Sequence, residues 1–235
     1  MAEEKKINSN YTRFYADRIH HKVYPTEFVV RTLLANYPQL NFVKPKAGDR
    51  ILDVAFGDGR NTVLLCDLGL DVCGIEITKD IVEQTGSRLA ALGYNPDLRV
   101  GRNNNIPWDD ETFDYILGCH CVYYCDDGET LLDNMLEYYR ALKPNGFMIA
   151  SIANRASYIF DGADELEDGT SRIKSDPYGN RYGYRLHGFF SEKGIEAYLS
   201  RYFFNFSFAH ANNDYYGINE RVFWVVCQRK PENFE

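Results

Sequence analysis

The sequence predicts an α/β fold: a doubly wound, mostly parallel sheet of seven strands with an antiparallel last strand and helices on both faces. Strand-like and helix-like segments alternate along residues 50–153, and the strand-like segments are continuously apolar, which is typical of parallel strands buried on both sides. The final strand-like segments, 204–211 and 221–229, are joined by a polar link too short for a helical crossover, which predicts an antiparallel pair.

Local signals place the individual elements. Apolar runs predict the first five strands at residues 50–56, 71–77, 98–101, 113–119 and 147–153. Apolar residues at helical spacing predict helices at residues 26–37, 61–69, 78–93, 128–142 and 192–202. Pro25 opens the first of these helices, and Thr78 and Gly93 are suited to cap the third.

Three segments carry no such signal. Residues 1–10 are polar and are expected to fray, and residues 11–24 are rich in aromatic side chains and histidine. Residues 154–188 combine acids, arginines and many tyrosines without a clear period. We therefore expect one domain over residues 1–235, with residues 1–25 as an N-terminal cap segment and residues 154–190 as an insertion.

Composition narrows the class of partner. The chain has 235 residues, is 45% hydrophobic and carries a net charge of −8, which disfavours nucleic acid as a partner. No apolar run approaches the roughly 20 residues of a membrane span, and the N-terminal residues lack the apolar core of a secretory signal. The six cysteines are expected to be buried thiols, so a cytoplasmic protein is predicted.

The stretch ILDVAFGDGRNT places Gly57 and Gly59 just after the first strand, where a doubly wound sheet binds its ligand. The second strand ends in Glu76, whose carboxylate suits the paired hydroxyls of a ribose. Together these features indicate an adenosine-type ligand. A dinucleotide-binding turn prefers a third glycine, where this chain has Thr62, and Asp58 between the first two disfavours a pyrophosphate. NAD or FAD is therefore disfavoured, although a nicotinamide oxidoreductase stays open as an alternative.

Over roughly residues 45–230 the sequence resembles the class I S-adenosylmethionine-dependent methyltransferases. The matching segments lie in the family's order and read ILDVAFGDG, GIEI, NNNIPWDDETFDYILG, ALKPNGFMIAS and FFSEKGIEAYL. The resemblance implies a Rossmann-like fold with S-adenosylmethionine as cofactor and S-adenosylhomocysteine as product. No metal is expected: the cysteines of CHCVYYC straddle a strand end without a second cluster, unlike a structural zinc site.

The resemblance also implies roles for individual residues. The turn from Asp53 to Gly59 would wrap the methionine end of the cofactor, Glu76 would bind the ribose and Ile77 would pack on the adenine. Arg102 stands where the family often has an acid, so either Asn103 or Asn104 must bind the adenine edge or the adenine is held differently. Ala55 replaces the usual first glycine. The predicted cofactor-binding residues are Asp53, Ala55, Phe56, Gly57, Gly59, Glu76, Ile77, Asn103, Asn104 and Cys119.

The predicted reaction is methyl transfer to an oxygen or nitrogen of a small-molecule acceptor. His120 and His187 are candidate general bases, with a packed or surface histidine as the alternative for each. The predicted acceptor-binding residues are Tyr11, Tyr15, Tyr24, Tyr123, Tyr158 and Tyr184. Four arginines of the insertion could bind a carboxylate or phosphate, or could be solvated: Arg155, Arg172, Arg181 and Arg185. A protein or RNA methyltransferase and a non-catalytic cofactor-binding module remain alternatives.

Overall fold

The computed structural model describes residues 2–16 and 22–231. In chain order its strands are β1 (Arg50–Val54), β2 (Asp71–Glu76), β3 (Asp97–Val100), β4 (Phe113–Gly118), β5 (Tyr124–Cys125), β6 (Leu142–Ala153), β7 (Asp164–Glu165), β8 (Ser171–Arg172), β9 (Arg185–Leu186), β10 (Phe203–Tyr215) and β11 (Ile218–Arg229). Its α-helices are α1 (Ala2–Ala16), α2 (Glu27–Leu34), α3 (Arg60–Asp67), α4 (Lys79–Ala91), α5 (Leu131–Ala141) and α6 (Glu192–Leu199).

The main sheet has seven strands in the order β10-β11-β6-β4-β1-β2-β3. Strand β11 is antiparallel to both of its neighbours, while β6, β4, β1, β2 and β3 run parallel. The predicted fold class is therefore confirmed. Strand order reverses at β1, which lies between β2 and β4, so the ligand-binding edge is expected at the carboxyl ends of these three strands.

Both faces of the sheet are buried, because successive residues of the parallel strands enter different apolar clusters. In β1, Leu52 packs in the cluster that includes α5 and α6, whereas Ile51 packs in the cluster that includes α2 and α3. The continuous apolar runs follow from this double burial. In register, Val54 lies opposite Ile75 on one side and Gly118 on the other, so the chain leaves all three strands side by side.

Three segments differ from expectation. The polar N-terminus forms α1 rather than a frayed tail, and residues 17–21 of the predicted cap segment lie outside the described part of the chain. The polar link is a tight hairpin, because β10 extends to Tyr215 and β11 begins at Ile218. Tyr216 and Gly217 between them both adopt positive φ, the backbone of a two-residue hairpin turn.

The insertion is ordered by a second sheet. Its strands have the order β5-β9-β8-β7 and are antiparallel throughout. Each strand has two residues, which is too short for an alternating pattern to be visible in the sequence. Because β5 follows β4 directly in the chain, this sheet attaches the insertion to the ligand-binding edge of the main sheet.

Candidate functional site

The turn after β1 is held by hydrogen bonds to its backbone. The Glu76 carboxylate accepts from the amides of Gly57 at 3.0 Å and Ile77 at 2.9 Å. The Thr85 hydroxyl donates to the Gly57 carbonyl at 2.6 Å. Ala55 adopts φ 53°, a left-handed conformation that favours glycine, so the substitution noted in the sequence leaves a strained residue at this turn.

Asp53 supports the turn from within the protein and is not among the residues that line the cavity. Its buried carboxylate accepts a hydrogen bond from the Thr62 hydroxyl at 2.7 Å, which ties β1 to the first turn of α3. This contact gives Thr62 a role at the position where a dinucleotide-binding turn would have glycine. Gly59 precedes α3 as its N-cap residue, with φ 76°. Asp53 and Gly59 thus shape the turn.

Helix α1 covers the turn. A Cβ at Gly57 would collide with the Tyr15 hydroxyl, so the tyrosine ring lies directly against the glycine. Tyr11 stacks on Tyr15, with 6.1 Å between ring centroids, and its hydroxyl lies 2.8 Å from that of Tyr124. The helix therefore joins the glycine turn to β5, where the insertion is attached.

Beneath α1 lies a cavity of about 320 Å³. It is bounded by the ends of β1, β2 and β4, by α1 and by the insertion. The predicted site residues that line it are Tyr11, Tyr15, Ala55, Phe56, Glu76, Ile77, Asn103, Cys119, His120 and Tyr184. Gly57 forms the turn between two lining residues, Phe56 and Asp58.

Five predicted site residues lie elsewhere. Tyr24 is 72% exposed, Tyr123 is buried in the apolar core, and Tyr158 lies behind Arg181 and accepts a hydrogen bond from it at 2.8 Å. His187 is packed between Phe189 and Tyr198, with ring centroids 4.8 and 4.9 Å away, and Asn104 lies in the turn after Arg102 outside the cavity lining.

At the end of the cavity beyond β3, where Asn103 or Asn104 was expected to bind the adenine, the side chains make other contacts. Arg102 donates to both carboxylate oxygens of Asp126 at 2.8 Å, and both residues line the cavity. The Asn103 amide donates to the carbonyls of Cys121 and Tyr124, and its oxygen accepts from the Tyr138 hydroxyl at 2.8 Å. The Asn103 side chain is therefore engaged in holding the loop after β4, and the Arg102–Asp126 pair is the charged feature here.

Several lining residues were not predicted as site residues. They include Phe14, Tyr124, Asn180 and Glu220, whereas Arg181, which also lines the cavity, is one of the four arginines considered above for binding a carboxylate or phosphate. Tyr123 lies in the turn just before β5 and Tyr124 begins that strand, and the sequence alone does not indicate which of the two tyrosines faces the cavity. Glu220 comes from the hairpin strand β11, whose start had been taken as part of the polar link.

Burial shifts the acid–base properties of the site. It raises the pKa of Glu76 to about 7 against the opposing hydrogen bonds from Ile77 and Gly57. It raises the pKa of Asp53 likewise to about 7, with the Thr62 hydroxyl opposing. Burial, with Arg181 and Arg60 nearby, lowers the pKa of His120 to about 4, so its imidazole is neutral at pH 7.

The cysteines near the site are thiols in apolar surroundings. Burial raises the pKa of Cys119 to about 11, and the Thr26 hydroxyl lies 3.5 Å from its sulfur. Among the described residues, no group of three histidine, cysteine or acidic side chains is arranged to hold a metal ion. In the same part of the chain, no helix is long and apolar enough to cross a membrane.

The fold is that of the class I S-adenosylmethionine-dependent methyltransferases, as the resemblance implies. Residues 52–150 match the family model described as a methyltransferase domain. The match covers the strands and turns from β1 to the middle of β6, which include the glycine turn, Glu76 and Cys119.

Sequence relatives carry methyltransferase names. The chain is 32% identical over 115 residues to a demethylmenaquinone methyltransferase of Symbiobacterium thermophilum, covering 47% of this chain and 45% of that protein. It is 27% identical over 142 residues to a ubiquinone biosynthesis O-methyltransferase of Maricaulis maris, covering 60% and 55%. A protein-L-isoaspartate O-methyltransferase of Dictyoglomus thermophilum is 23% identical over 146 residues, covering 60% and 62%. The chain thus spans about half the length of the curated relatives it matches.

Solved structures share the fold. A S-adenosylmethionine-dependent methyltransferase from Methanosarcina mazei has a TM-score of 0.64 at 18% identity, over 85% of this chain and all of that one. Another from Thermotoga maritima has a TM-score of 0.58 at 20% identity, over 94% and 99%. At these identities the likeness shows the fold alone.

Proposed function

We propose that the chain binds S-adenosylmethionine in the cavity and transfers its methyl group to an oxygen or nitrogen of a small-molecule acceptor. The observation that carries this proposal is Glu76, a buried carboxylate at the end of β2 that lines the cavity and receives only backbone amides from the protein. A carboxylate has about four acceptor positions, so two ribose hydroxyls can still be bound.

The remaining residues fit the rest of the cofactor. Ile77 and Phe56 offer apolar surface for the adenine, beside the Arg102–Asp126 pair. The glycine turn enters the cavity wall through Phe56 and Asp58, and Cys119 follows β4 next to this turn. Around the glycine turn Asp58 is paired with Arg60, so the carboxylate of Glu76 is the charge there without a cationic partner among the lining residues, which suits a sulfonium better than a pyrophosphate. No residue of the proposed set requires a metal.

When bound, S-adenosylmethionine would supply an electrophilic methyl carbon, with the thioether of S-adenosylhomocysteine as the leaving group and water as the final acceptor of the proton that the methylated group loses. The protein's contribution is alignment and exclusion of water, which can lower such a barrier by about 7–11 kcal/mol. Helix α1 and the insertion supply this enclosure, so residues 1–25 and 154–190 are the proposed lid.

Of the two candidate general bases, His120 lines the cavity. Because its pKa is lowered to about 4, a transferred proton would be held weakly. His120 is therefore better suited to accept a hydrogen bond and orient the acceptor. His187, outside the cavity, is not retained in a catalytic role.

A small acceptor is favoured because the lid closes over the cavity from both sides through the Tyr11–Tyr124 contact. The names of two relatives, which act in menaquinone and ubiquinone biosynthesis, are consistent with a small acceptor. The protein-L-isoaspartate relative keeps a protein acceptor as the second candidate. A cytoplasmic location belongs to the same proposal and rests on the buried thiols.

Calorimetric titration with S-adenosylmethionine, S-adenosylhomocysteine and NAD tests the cofactor. Both adenosine sulfur compounds should bind and NAD should not. Glu76→Ala should weaken binding by about 1.5–3 kcal/mol, since it removes hydrogen bonds to a charged group. Binding of NAD alone, or unchanged affinity in a folded Glu76→Ala protein, would contradict the proposal.

A further inference from the structure

Some of the charged side chains that line the cavity are paired with an opposite charge in the cavity wall, and others are not. Among the described residues, the charged side chains in its wall are Asp58, Arg60, Glu76, Arg102, Asp126, Arg181 and Glu220. Arg60 donates to Asp58 at 2.9 Å, Arg102 is paired with Asp126, and Glu76 is held by two backbone amides. Two side chains of opposite charge, Arg181 and Glu220, remain.

Arg181 is a largely buried cation whose side-chain hydrogen bonds go to neutral groups, with one carboxylate, that of Asp176, at ion-pair distance outside the cavity wall. Its side chain is 18% exposed, and its guanidinium donates to the hydroxyls of Tyr124 at 3.0 Å and Tyr158 at 2.8 Å. Asp176 supplies the nearest carboxylate oxygen in the described chain, at 3.7 Å, beyond hydrogen-bond distance. The Asp176 carboxylate already accepts three backbone amides, from Tyr178, Asn180 and Arg181.

Glu220 is the matching anion. Within the described residues, no cation lies within 4.0 Å of its carboxylate and no side chain hydrogen-bonds to it, although it lines the same cavity wall. Burial raises its pKa, and the field of Arg181 opposes this. A partly buried carboxylate and a buried guanidinium that share a cavity without touching each other are both stabilised by a ligand that carries the complementary charges.

The position of Arg181 connects this pair to the proposed cofactor site. Arg181 donates to Tyr124, whose hydroxyl contacts that of Tyr11, and Tyr11 stacks on Tyr15 above Gly57. The two charges therefore lie on the lid side of the cavity, where the acceptor is expected. Resting on the proposed function, we infer that the acceptor is a small zwitterion whose carboxylate binds Arg181 and whose amino group binds Glu220.

Calorimetry on the S-adenosylhomocysteine-saturated protein tests this inference independently of turnover. The probes are aliphatic and aromatic amino acids with increasing separation of amine and carboxylate. For each probe, the matched methyl ester lacks the anion and the matched deaminated acid lacks the cation. We expect at least one zwitterion to bind, and its ester and deaminated analogue to bind about 10- to 100-fold more weakly.

Substitutions of Arg181 and Glu220 test which charged group of the zwitterion each side chain binds. Arg181→Gln should weaken binding of the zwitterion about 10- to 100-fold and leave its methyl ester unchanged, whereas Glu220→Gln should weaken the zwitterion and leave the deaminated acid unchanged. Arg181→Lys, which keeps the charge, should recover part of the loss. Lys174→Gln is the matched control, since Lys174 lies in the same insertion but pairs with Asp164 away from the cavity. Thermal unfolding of each variant verifies that it is folded.

Three outcomes would overturn the inference: no zwitterion of the panel binds, esters bind as tightly as zwitterions, or Arg181→Gln and Lys174→Gln behave alike. These outcomes are distinct from failure of the proposed function, which would appear as absent binding of S-adenosylhomocysteine. Methylation of a neutral phenol by a protein that ignores zwitterions would support the proposed function and reject the zwitterion.

Discussion

Glu76 combines two requirements that oppose each other. It is buried, which favours the neutral acid, yet its proposed role needs the carboxylate as a hydrogen-bond acceptor. The resulting pKa of about 7 places its titration within the ordinary working range of pH. Cofactor binding should therefore depend on pH through this one group, because ribose hydroxyls donate to the ionised form.

We expect the affinity for S-adenosylhomocysteine to rise by about tenfold or more between pH 5.5 and pH 8, with the steepest change below pH 7. The sign follows because protons compete with the ligand for the carboxylate. Glu76→Gln should bind weakly and show a much flatter profile. Titration calorimetry at a series of pH values measures both; a parallel slope in the two proteins would assign the dependence to another group.

Ala55 is a second single-residue feature with a measurable effect. Its φ of 53° costs an L-residue about 1–2 kcal/mol, and glycine adopts this conformation freely. Ala55→Gly also gains conformational freedom in the unfolded chain, which offsets part of the benefit. We expect a net stabilisation of about 1 kcal/mol in urea unfolding, and a loss of stability would mean that the alanine methyl group packs favourably.

Individual positions show which site residues could be predicted from the sequence and which could not. The sequence predicted that Glu76, Ile77 and the glycine turn are neighbours, because they follow two adjacent parallel strands at the same edge of the sheet. In the structure β1 and β2 are paired, and these residues lie together at their carboxyl ends. The sequence predicted Tyr123 where the cavity has Tyr124, since the two tyrosines are adjacent and the short strand that begins at Tyr124 gives no visible pattern. Arg181 and Glu220 are 39 residues apart in the sequence, and no periodic pattern relates them.

Helix α1 and the small sheet illustrate the same limit for secondary structure. Long apolar runs fixed the main strands, but α1 is polar along most of its length and the strands of the small sheet have two residues each. These segments adopt their structure through tertiary contacts, such as the one between the hydroxyl oxygens of Thr12 and Thr78 at 3.1 Å. Segments of this kind are those proposed to meet the acceptor.

Removal of α1 tests its role. A chain lacking residues 1–24 should fold, because the main sheet is covered by the other helices and none of the α1 side chains that the structure describes, those of residues 9–16, belongs to its two apolar clusters. It should bind S-adenosylhomocysteine more weakly and lose methyl transfer by at least about 100-fold, since water and misalignment are no longer excluded. Circular dichroism, calorimetry and a transfer assay measure these effects; full activity would reduce α1 to a tail.

Across the whole chain, the acids of the site influence stability. Asp53 and Glu76 both have a pKa raised to about 7 in the folded protein, above their unfolded values near 4. For acids shifted upward, the stabilising contribution is complete below the unfolded pKa and is lost as pH rises through about 7. The net charge of −8 adds repulsion in the same direction.

We therefore expect the free energy of unfolding without ligand to fall between pH 4.5 and pH 7.5, by up to roughly 1.4 kcal/mol for each unit by which a pKa is raised. Asp53→Asn and Glu76→Gln should each flatten the fall. Urea unfolding across this range measures it, and a free energy that rises with pH would show that the two acids are ionised in the folded state.

The contact of Tyr15 with Gly57 is expected to affect the rates of ligand binding and release more than the binding affinity. If the cofactor rests against the glycine turn, as proposed, Tyr15 and its helix would obstruct its exchange with solvent. Association and dissociation would then slow together, with the equilibrium constant little changed. Replacing Tyr15 with alanine would shorten the residence of product on the protein, so the first helix sets how quickly one cycle can give way to the next.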